Sequence, residues 1–193
     1  HVPHRRQRQM CIRDSTYATS RILLDGLRTE ALSFLEIAPN ATHAEMEKLY
    51  PKTLKTYIKK AIELELINPE LGKMDLEKLG ESLNPNRDLM FSYLGLQTLY
   101  DRYFIHKDEV RFELPQIFFM RVAMGLAIGE ESREDRAIEF YNLLSSFDYM
   151  SSTPTLFNSG TIHSQLSSCY LTTVPDDLKG IYDALGDLSL IHI

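Results

Sequence analysis

Tryptophan is absent from this 193-residue sequence, and cysteine occurs twice, as Cys11 and Cys169. Glycine and proline are sparse, at 9 and 8 residues, and no repeat or low-complexity tract is present. So few cysteines exclude a disulfide-stapled scaffold. No apolar run approaches the ~18 residues of a membrane-spanning helix, so no membrane partner is expected. Basic residues are also short: 21 Lys and Arg against 27 Asp and Glu give a formal charge of −6. That balance argues against binding a phosphate backbone, so no nucleic-acid partner is expected. It says little about single nucleotides.

The two ends differ from the rest. Residues 5–15 read RRQRQMCIRDS and residues 188–193 read LSLIHI. Back-translated, the end can be written CTG TCT CTT ATA CAC ATC. Its reverse complement, in a shifted frame, contains ATG TGT ATA AGA GAC AG, which encodes Met-Cys-Ile-Arg-Asp and then Ser or Arg. The two ends therefore read as one DNA on opposite strands, and that DNA resembles a transposase adaptor used for sequencing libraries. The adaptor's longer arm translates as Arg-Arg-Gln-Arg-Gln, matching residues 5–9. The expectation is that 1–15 and 188–193 are non-native and flank an internal segment of a longer gene, Thr16 to Asp187. Removing Arg5, Arg6, Arg8, Arg13 and Asp14 takes the charge from −6 to −9. The basic N-terminal arm is then an artefact, and Cys169 has no partner thiol in the chain. One thiol in an acidic chain suits a reducing cytoplasm, the expected location.

Apolar spacing predicts a mainly helical chain. Leu23, Leu27, Ala31 and Phe34 form one stripe of a helix over 17–35, with Arg21, Asp25 and Arg28 opposite. Thr42 and Glu45 fit a capping box that opens a second helix. Pro51 fits the first turn of a helix running to about Leu66. A short helix is expected over 75–83 and another over 89–101. "RYFIHKDEVRFELP" reads as a hairpin. Pro115 opens a helix apolar nearly all round, which should be buried and stopped by Gly129. Arg121 inside that helix needs a buried partner, so an ion pair is expected. A further helix covers 130–147, with Ala137, Phe140, Tyr141, Leu144 and Phe147 on one face. "SSTPTLFNSGT" reads as a loop. "SSCYLTTV" reads as a strand whose pairing partners lie downstream, since a lone strand is not stable. A last helix follows Pro175-Asp176-Asp177.

Candidate chemistry gathers late in the chain. Ser151, Ser152, Thr153, Thr155, Ser164, Ser167, Ser168 and Cys169 fall close together, with no lysine or arginine among them. Hydroxyls and loop amides can hold a diphosphate without a point charge. A polar loop leading into an edge strand explains the same composition. Cys169 is a reactive thiol or a small buried hydrophobe, and no neighbouring base or cation activates it. Asp176 is a helix N-cap or a carboxylate for a ligand hydroxyl. No His spacing suggests a metal site.

Four stretches in order, "RDLMFSYLGLQTLYDRYFI", "LPQIFFMRVAMGLAI", "FYNLLSSFDYMSSTPTLFNSGT" and "SQLSSCYLTTVPDDLKGIYDAL", resemble the large, α subunit of class I ribonucleoside-diphosphate reductase. "TYATSRILLDGLRTEAL" resembles the last helix of that family's regulatory ATP-cone. The resemblance implies a fold that is mainly α here: a helical N-terminal domain leading into the first strand and helix of a ten-stranded α/β barrel. It divides the chain into 16–38, the terminal helix of an ATP-cone; 39–86, a helical linker region; 87–165, the N-terminal helical domain; and 166–187, the start of the barrel.

The resemblance also implies roles. Cys169 matches one of two thiols that reduce the ribose 2′ position and become a disulfide. Thr153 matches a substrate-binding threonine, and Ser168 a serine beside the thiol. Asp176, Asp177 and Leu178 match a segment where a deoxynucleoside triphosphate sets substrate choice. The implied parent is a homodimer that reduces ribonucleoside diphosphates by a thiyl-radical route. A metal-containing small β subunit supplies the radical, thioredoxin or glutaredoxin recycles the disulfide, and ATP and deoxynucleoside triphosphates act as effectors. The chain itself is expected to bind no cofactor and to be inactive alone. Two alternatives stay open: a cobalamin-dependent ribonucleotide reductase, and a non-enzymatic helical interaction module.

Overall fold

The computed structural model describes residues 3–168 and 171–190, with side chains described for 15–168 and 171–188. The architecture is helical. Helix α1 spans Pro3–Phe34, α2 Met46–Glu63, α3 Leu76–Glu81, α4 Tyr93–Arg102, α5 Pro115–Ala127, α6 Arg133–Ser145, α7 Thr153–Asn158 and α8 Leu178–Leu190. A two-stranded hairpin, β1 His106–Lys107 and β2 Val110–Arg111, joins α4 to α5. No described helix is long and apolar enough to cross a membrane.

Helix α5 is the centre. Its residues 115–124 and Ala127 are buried, so its apolar circumference has neighbours all round. Helix α6 packs along it, and α7 and the 3-10 turns Pro69–Lys73 and Pro85–Met90 close around it. Ala137, Tyr141 and Leu144 face it from α6. Phe147, expected on that face, is 38% exposed and left-handed at φ 63°. It lies beyond the end of α6, so helical spacing no longer sets its direction. Ile128 caps α5, and Gly129 is not in the left-handed conformation expected of a stop residue.

The face of α1 is wider than its predicted stripe. Leu24, Leu27, Ala31, Leu32 and Leu35 are buried, while Leu23 and Phe34 are only half-buried. Arg28, expected outside, is 5% exposed. It donates to Asp25 Oδ1 at 2.9 Å and to the Ala41 carbonyl at 3.3 Å. The returning chain at Ala41 covers that side of the helix.

The capping box of Thr42 and Glu45 is present. Pro51 sits inside α2 rather than in its first turn. A Cβ on Gly80 would lie 2.7 Å from Pro51 Cα, so α3 approaches α2 closely at the proline. The helix expected over 89–101 is divided. Asn84 caps a 3-10 turn by accepting from Asn86 N at 3.0 Å. Phe91 is extended, and Ser92 Oγ accepts from Gly95 N at 3.3 Å to start α4. The break turns Asp88 inward, where it is 3% exposed. The hairpin forms as expected, with His106 opposite Arg111 and Lys107 opposite Val110. Asp108 and Glu109 carry its left-handed two-residue turn at φ 49° and 66°.

One further expectation is corrected, and the expected strand is not formed within the described residues. The stretch 153–158, expected as loop, is the short helix α7, with Pro154 in its first turn. Among the described residues of 166–177 no strand forms; 171–175 is irregular and exposed. Strand-forming residues need a paired edge, and the described residues place none beside this segment.

Two polar networks cross the interior. Glu113 and Arg121 are both wholly buried and pair at 2.7 Å, fulfilling the ion pair expected of Arg121. In the other network Asp88 accepts from Tyr50 Oη at 2.6 Å and from Gln116 Nε2 at 2.8 Å. Tyr141 Oη donates to Gln116 Oε1 at 2.7 Å and accepts from Asn84 N at 2.9 Å.

Burial raises the Asp88 pKa from 3.8 to about 6, against the opposing pull of the Tyr50 and Gln116 hydrogen bonds. The folded protein therefore holds this proton more tightly than the unfolded chain. The stabilisation is full below pH 4 and is lost as pH rises through about 6. Asp88→Asn should remove a fall of about 3 kcal/mol from well below pH 4 to well above pH 6, at ~1.4 kcal/mol for each tenfold difference in proton affinity, as read by urea melts at each pH. Arg121→Ala should cost about 3–5 kcal/mol, because Glu113 would be left buried without its cation; the same melts at pH 7 measure it.

Candidate functional site

Helix α7 carries Thr153, the first predicted site residue. Six residues are too few for a stable isolated helix, so tertiary contacts must hold α7. They act at both ends. At the C-terminal end, Arg121 Nη1 donates to the Ser159 carbonyl at 2.5 Å and Nη2 to the Leu156 carbonyl at 3.5 Å. Both accept no bond from a following helical turn. Ser159 Oγ donates to the Val122 carbonyl at 2.8 Å. Gly160 adopts φ 76°, and a Cβ there would lie 2.8 Å from the Arg121 carbonyl. A Cβ on Gly125 would lie 2.2 Å from Gly160 N. The chain can pass α5 this closely only because both positions are glycine. Asn68 N then donates to the Gly160 carbonyl at 2.9 Å, and Ile67 bridges Thr161.

At the N-terminal end, Tyr103 and Thr153 hydroxyls lie 3.2 Å apart. The Tyr103 ring packs on Phe157 of α7 with centroids 5.8 Å apart, and edge-on against Phe118 at 6.4 Å. Thr153 and Phe157 are four residues apart, so Tyr103 covers one face of α7. Thr153 is exposed and Tyr103 half-buried. The Thr153 hydroxyl thus faces solvent at the start of α7 with the Tyr103 hydroxyl beside it.

The cation beneath α7 is spoken for. Glu113 Oε1 receives Arg121 Nε at 2.7 Å and Tyr57 Oη at 2.6 Å. Its Oε2 receives the Ile105 amide at 2.9 Å and Arg121 Nη2 at 3.3 Å. Burial works against the Arg121 charge, but Glu113 and Tyr57 together more than offset it and the arginine pKa is raised. The Tyr57 phenol is pushed well up, first by burial and then by the Glu113 charge, so it stays a donor. Arg121 thus holds the backbone of α7 and does not reach out to a ligand.

Beyond α7 the chain is tied back where Asn158 Nδ2 donates to the Gln165 carbonyl at 2.6 Å. Ser168 lies past this tie and is exposed. Cys169 lies outside the described residues. Asp176, Asp177 and Leu178 are exposed, Leu178 by 73%. The helix cap expected of Asp176 belongs to Asp177, whose Oδ1 accepts from Gly180 N at 2.8 Å. Asp177 stands three residues before that amide, the reach a capping carboxylate needs. Helix α8 leaves Ile181, Tyr182 and Leu185 exposed.

A cleft of about 430 Å³ adjoins α7, lined by Leu126, Phe140, Leu144 and Tyr149 with Ser151 and Thr155 at its rim. Thr153 is not among its walls. Among the described residues no group of His, Cys, Asp and Glu could hold a metal ion. Sequence reasoning missed the roles of Tyr103 and Glu113. A carboxylate in the apolar run "VRFELP" was the available signal for Glu113; nothing local marked Tyr103.

Comparisons with known proteins place the chain. The family model described as the ribonucleotide reductase all-alpha domain matches residues 89–164. A ribonucleoside-diphosphate reductase subunit alpha from Chlamydia muridarum is 48% identical over 179 residues, 92% of this chain and 16% of the relative. The subunit alpha of Helicobacter pylori is 47% identical over 121 residues, 62% of this chain and 15% of that protein. The large subunit of Variola virus is 35% identical over 176 residues, 83% of this chain and 22% of that protein. The chain thus spans about a sixth of the first of these relatives. The cobalamin-dependent alternative finds no support in these names.

Asp177→Ala should weaken the start of α8 by about 1 kcal/mol, and Asp176→Ala should change it little. Amide exchange at Gly180 measures both: faster in the first variant, unchanged in the second.

Proposed function

This chain belongs to the ribonucleotide reductase large-subunit family, and we propose that it forms part of a catalytic subunit reducing ribonucleoside diphosphates to 2′-deoxyribonucleoside diphosphates. The observation that carries the reading is identity of nearly half over 92% of the chain to a ribonucleoside-diphosphate reductase subunit alpha. The geometry is consistent with it, because Thr153 stands exposed on a helix clamped at both ends.

In this reading Thr153 and Ser168 donate hydrogen bonds to substrate phosphate or ribose oxygens. Cys169 supplies one of the two thiols that reduce the sugar. The pair gives up two electrons and two protons, becomes a disulfide, and the ribose 2′ oxygen leaves as water. The second thiol belongs to sequence beyond this chain. Asp176, Asp177 and Leu178 contribute to a deoxynucleoside triphosphate effector site, and ATP acts at a cone whose last helix falls in 16–38. Residues 39–86 link that cone to a helical domain over 87–165, and 166–187 open the barrel. The proposed partners are a radical-generating small subunit with its own metal, thioredoxin or glutaredoxin, and a second large subunit. The proposed location is the cytoplasm.

An exposed 171–175 fits this division of labour. A segment rich in β-branched residues needs neighbouring strands to become a strand. A barrel built by downstream sequence would supply them and bury Cys169 beside the substrate.

The test is to recover the unbroken gene and assay three proteins with the small subunit and a dithiol reductant. The full-length enzyme should reduce ribonucleoside diphosphates, its Cys169→Ser variant should lose turnover, and the 193-residue chain should be inactive. Full turnover by the Cys169→Ser enzyme would overturn the role given to that thiol. Activity from the 193-residue chain would overturn the need for downstream residues.

A further inference from the structure

We propose that Tyr103 is a positioning residue for substrate binding: its hydroxyl fixes the Thr153 side chain so that the threonine proton points outward to a substrate phosphate oxygen. This deepens the reductase reading and rests on Thr153 as a substrate ligand.

Threonine's hydroxyl can occupy more than one χ1 well, and a surface threonine at a helix start has little to choose between them. The 3.2 Å contact between the two hydroxyls removes that freedom. A hydroxyl has one proton and two acceptor lone pairs. When the Tyr103 proton goes to Thr153 Oγ1, the Thr153 proton stays available for an anionic oxygen. The two bonds then run in one direction, Tyr103 to Thr153 to phosphate, and each polarises the next.

The phenol can perform this task because its own place is set independently. The Tyr103 amide donates to the Leu99 carbonyl at 2.9 Å and caps α4. The ring rests on Phe118 of the buried helix α5 and on Phe157 of α7. Tyr103 therefore touches α7 at two points one helical turn apart. Arg121 holds the opposite end of α7 through the Leu156 and Ser159 carbonyls. With both ends fixed, the hydroxyl at Thr153 cannot drift by the ångström that weakens a binding contact.

A purely structural tyrosine would act through its ring, and Tyr103→Phe keeps the ring. In the full-length reductase, assayed with its small subunit, Tyr103→Phe should raise KM for the ribonucleoside diphosphate about three- to tenfold. Its kcat should stay within about twofold and its melting temperature should be unchanged, because a uniform binding contact is lost. Thr153→Ala should also raise KM, and the double variant should be no worse than Thr153→Ala alone. If Thr153→Ala leaves KM unchanged, Thr153 is not a substrate ligand and the reading beneath this proposal fails. If Thr153→Ala raises KM while Tyr103→Phe does not, or if the two effects multiply, Thr153 keeps its role and the positioning role of Tyr103 is overturned. A fall in melting temperature in step with the KM change would likewise reduce Tyr103 to a packing residue.

Discussion

The ion pair between Glu113 and Arg121 is the contact on which the rest of this structure turns. Both side chains are wholly buried, and neither could stay charged there without full coordination. The structure meets that demand with four groups from three directions. Tyr57 comes from α2, the Ile105 amide from the chain leading into the hairpin, and the Leu156 and Ser159 carbonyls from α7 and its cap. Helix α5 supplies the arginine, and the glutamate lies just before it. One buried pair thus joins α2, the hairpin, α5 and α7. A helix apolar on every side could slide or rotate within an oily core at small cost. A charge that must meet named partners on three neighbours cannot.

The Asp88 network does related work with a different balance. Asp88 has two neutral donors and no cation in contact. Desolvation therefore outweighs the hydrogen bonds, and its pKa rises to about 6. Gln116 belongs to this network and Arg121 to the other, so α5 is held at two points along its length. Tyr141 extends the first anchor to α6 and the Asn84 amide. These contacts specify register, while the aromatic and aliphatic burial around them supplies the bulk of the cohesion.

This frame presents Thr153 at the surface, on a helix too short to exist by itself, held by Arg121 below and Tyr103 beside it. The substrate-binding role proposed for Thr153 would draw on such support, since a hydroxyl on a loose loop pays its ordering cost again at each binding event. The segment 171–175, by contrast, is exposed and irregular. A strand is completed by its neighbours, and the described residues place none beside this segment.

Local physics made much of this chain legible from its residues. Apolar spacing marked α1 and α6, an apolar run opened by proline marked α5, turn chemistry marked the hairpin, Thr42 and Glu45 marked a cap, and a lone arginine in an apolar helix required a buried acid. These signals act within a few residues or state a cost that any fold must meet. Other features needed the assembled protein. Only the packed chain decided that Glu113 is the partner, that Arg28 turns inward under Ala41, and that "STPTLFN" is a helix. The break at Phe91 that aims Asp88 into the core, and the meeting of Tyr103 with Thr153, were decided there too. Each depends on groups tens of residues apart, whose distance no local propensity encodes. For 171–175 the sequence favours a strand, yet the described structure is irregular, because backbone hydrogen bonding in a sheet requires a second chain segment alongside.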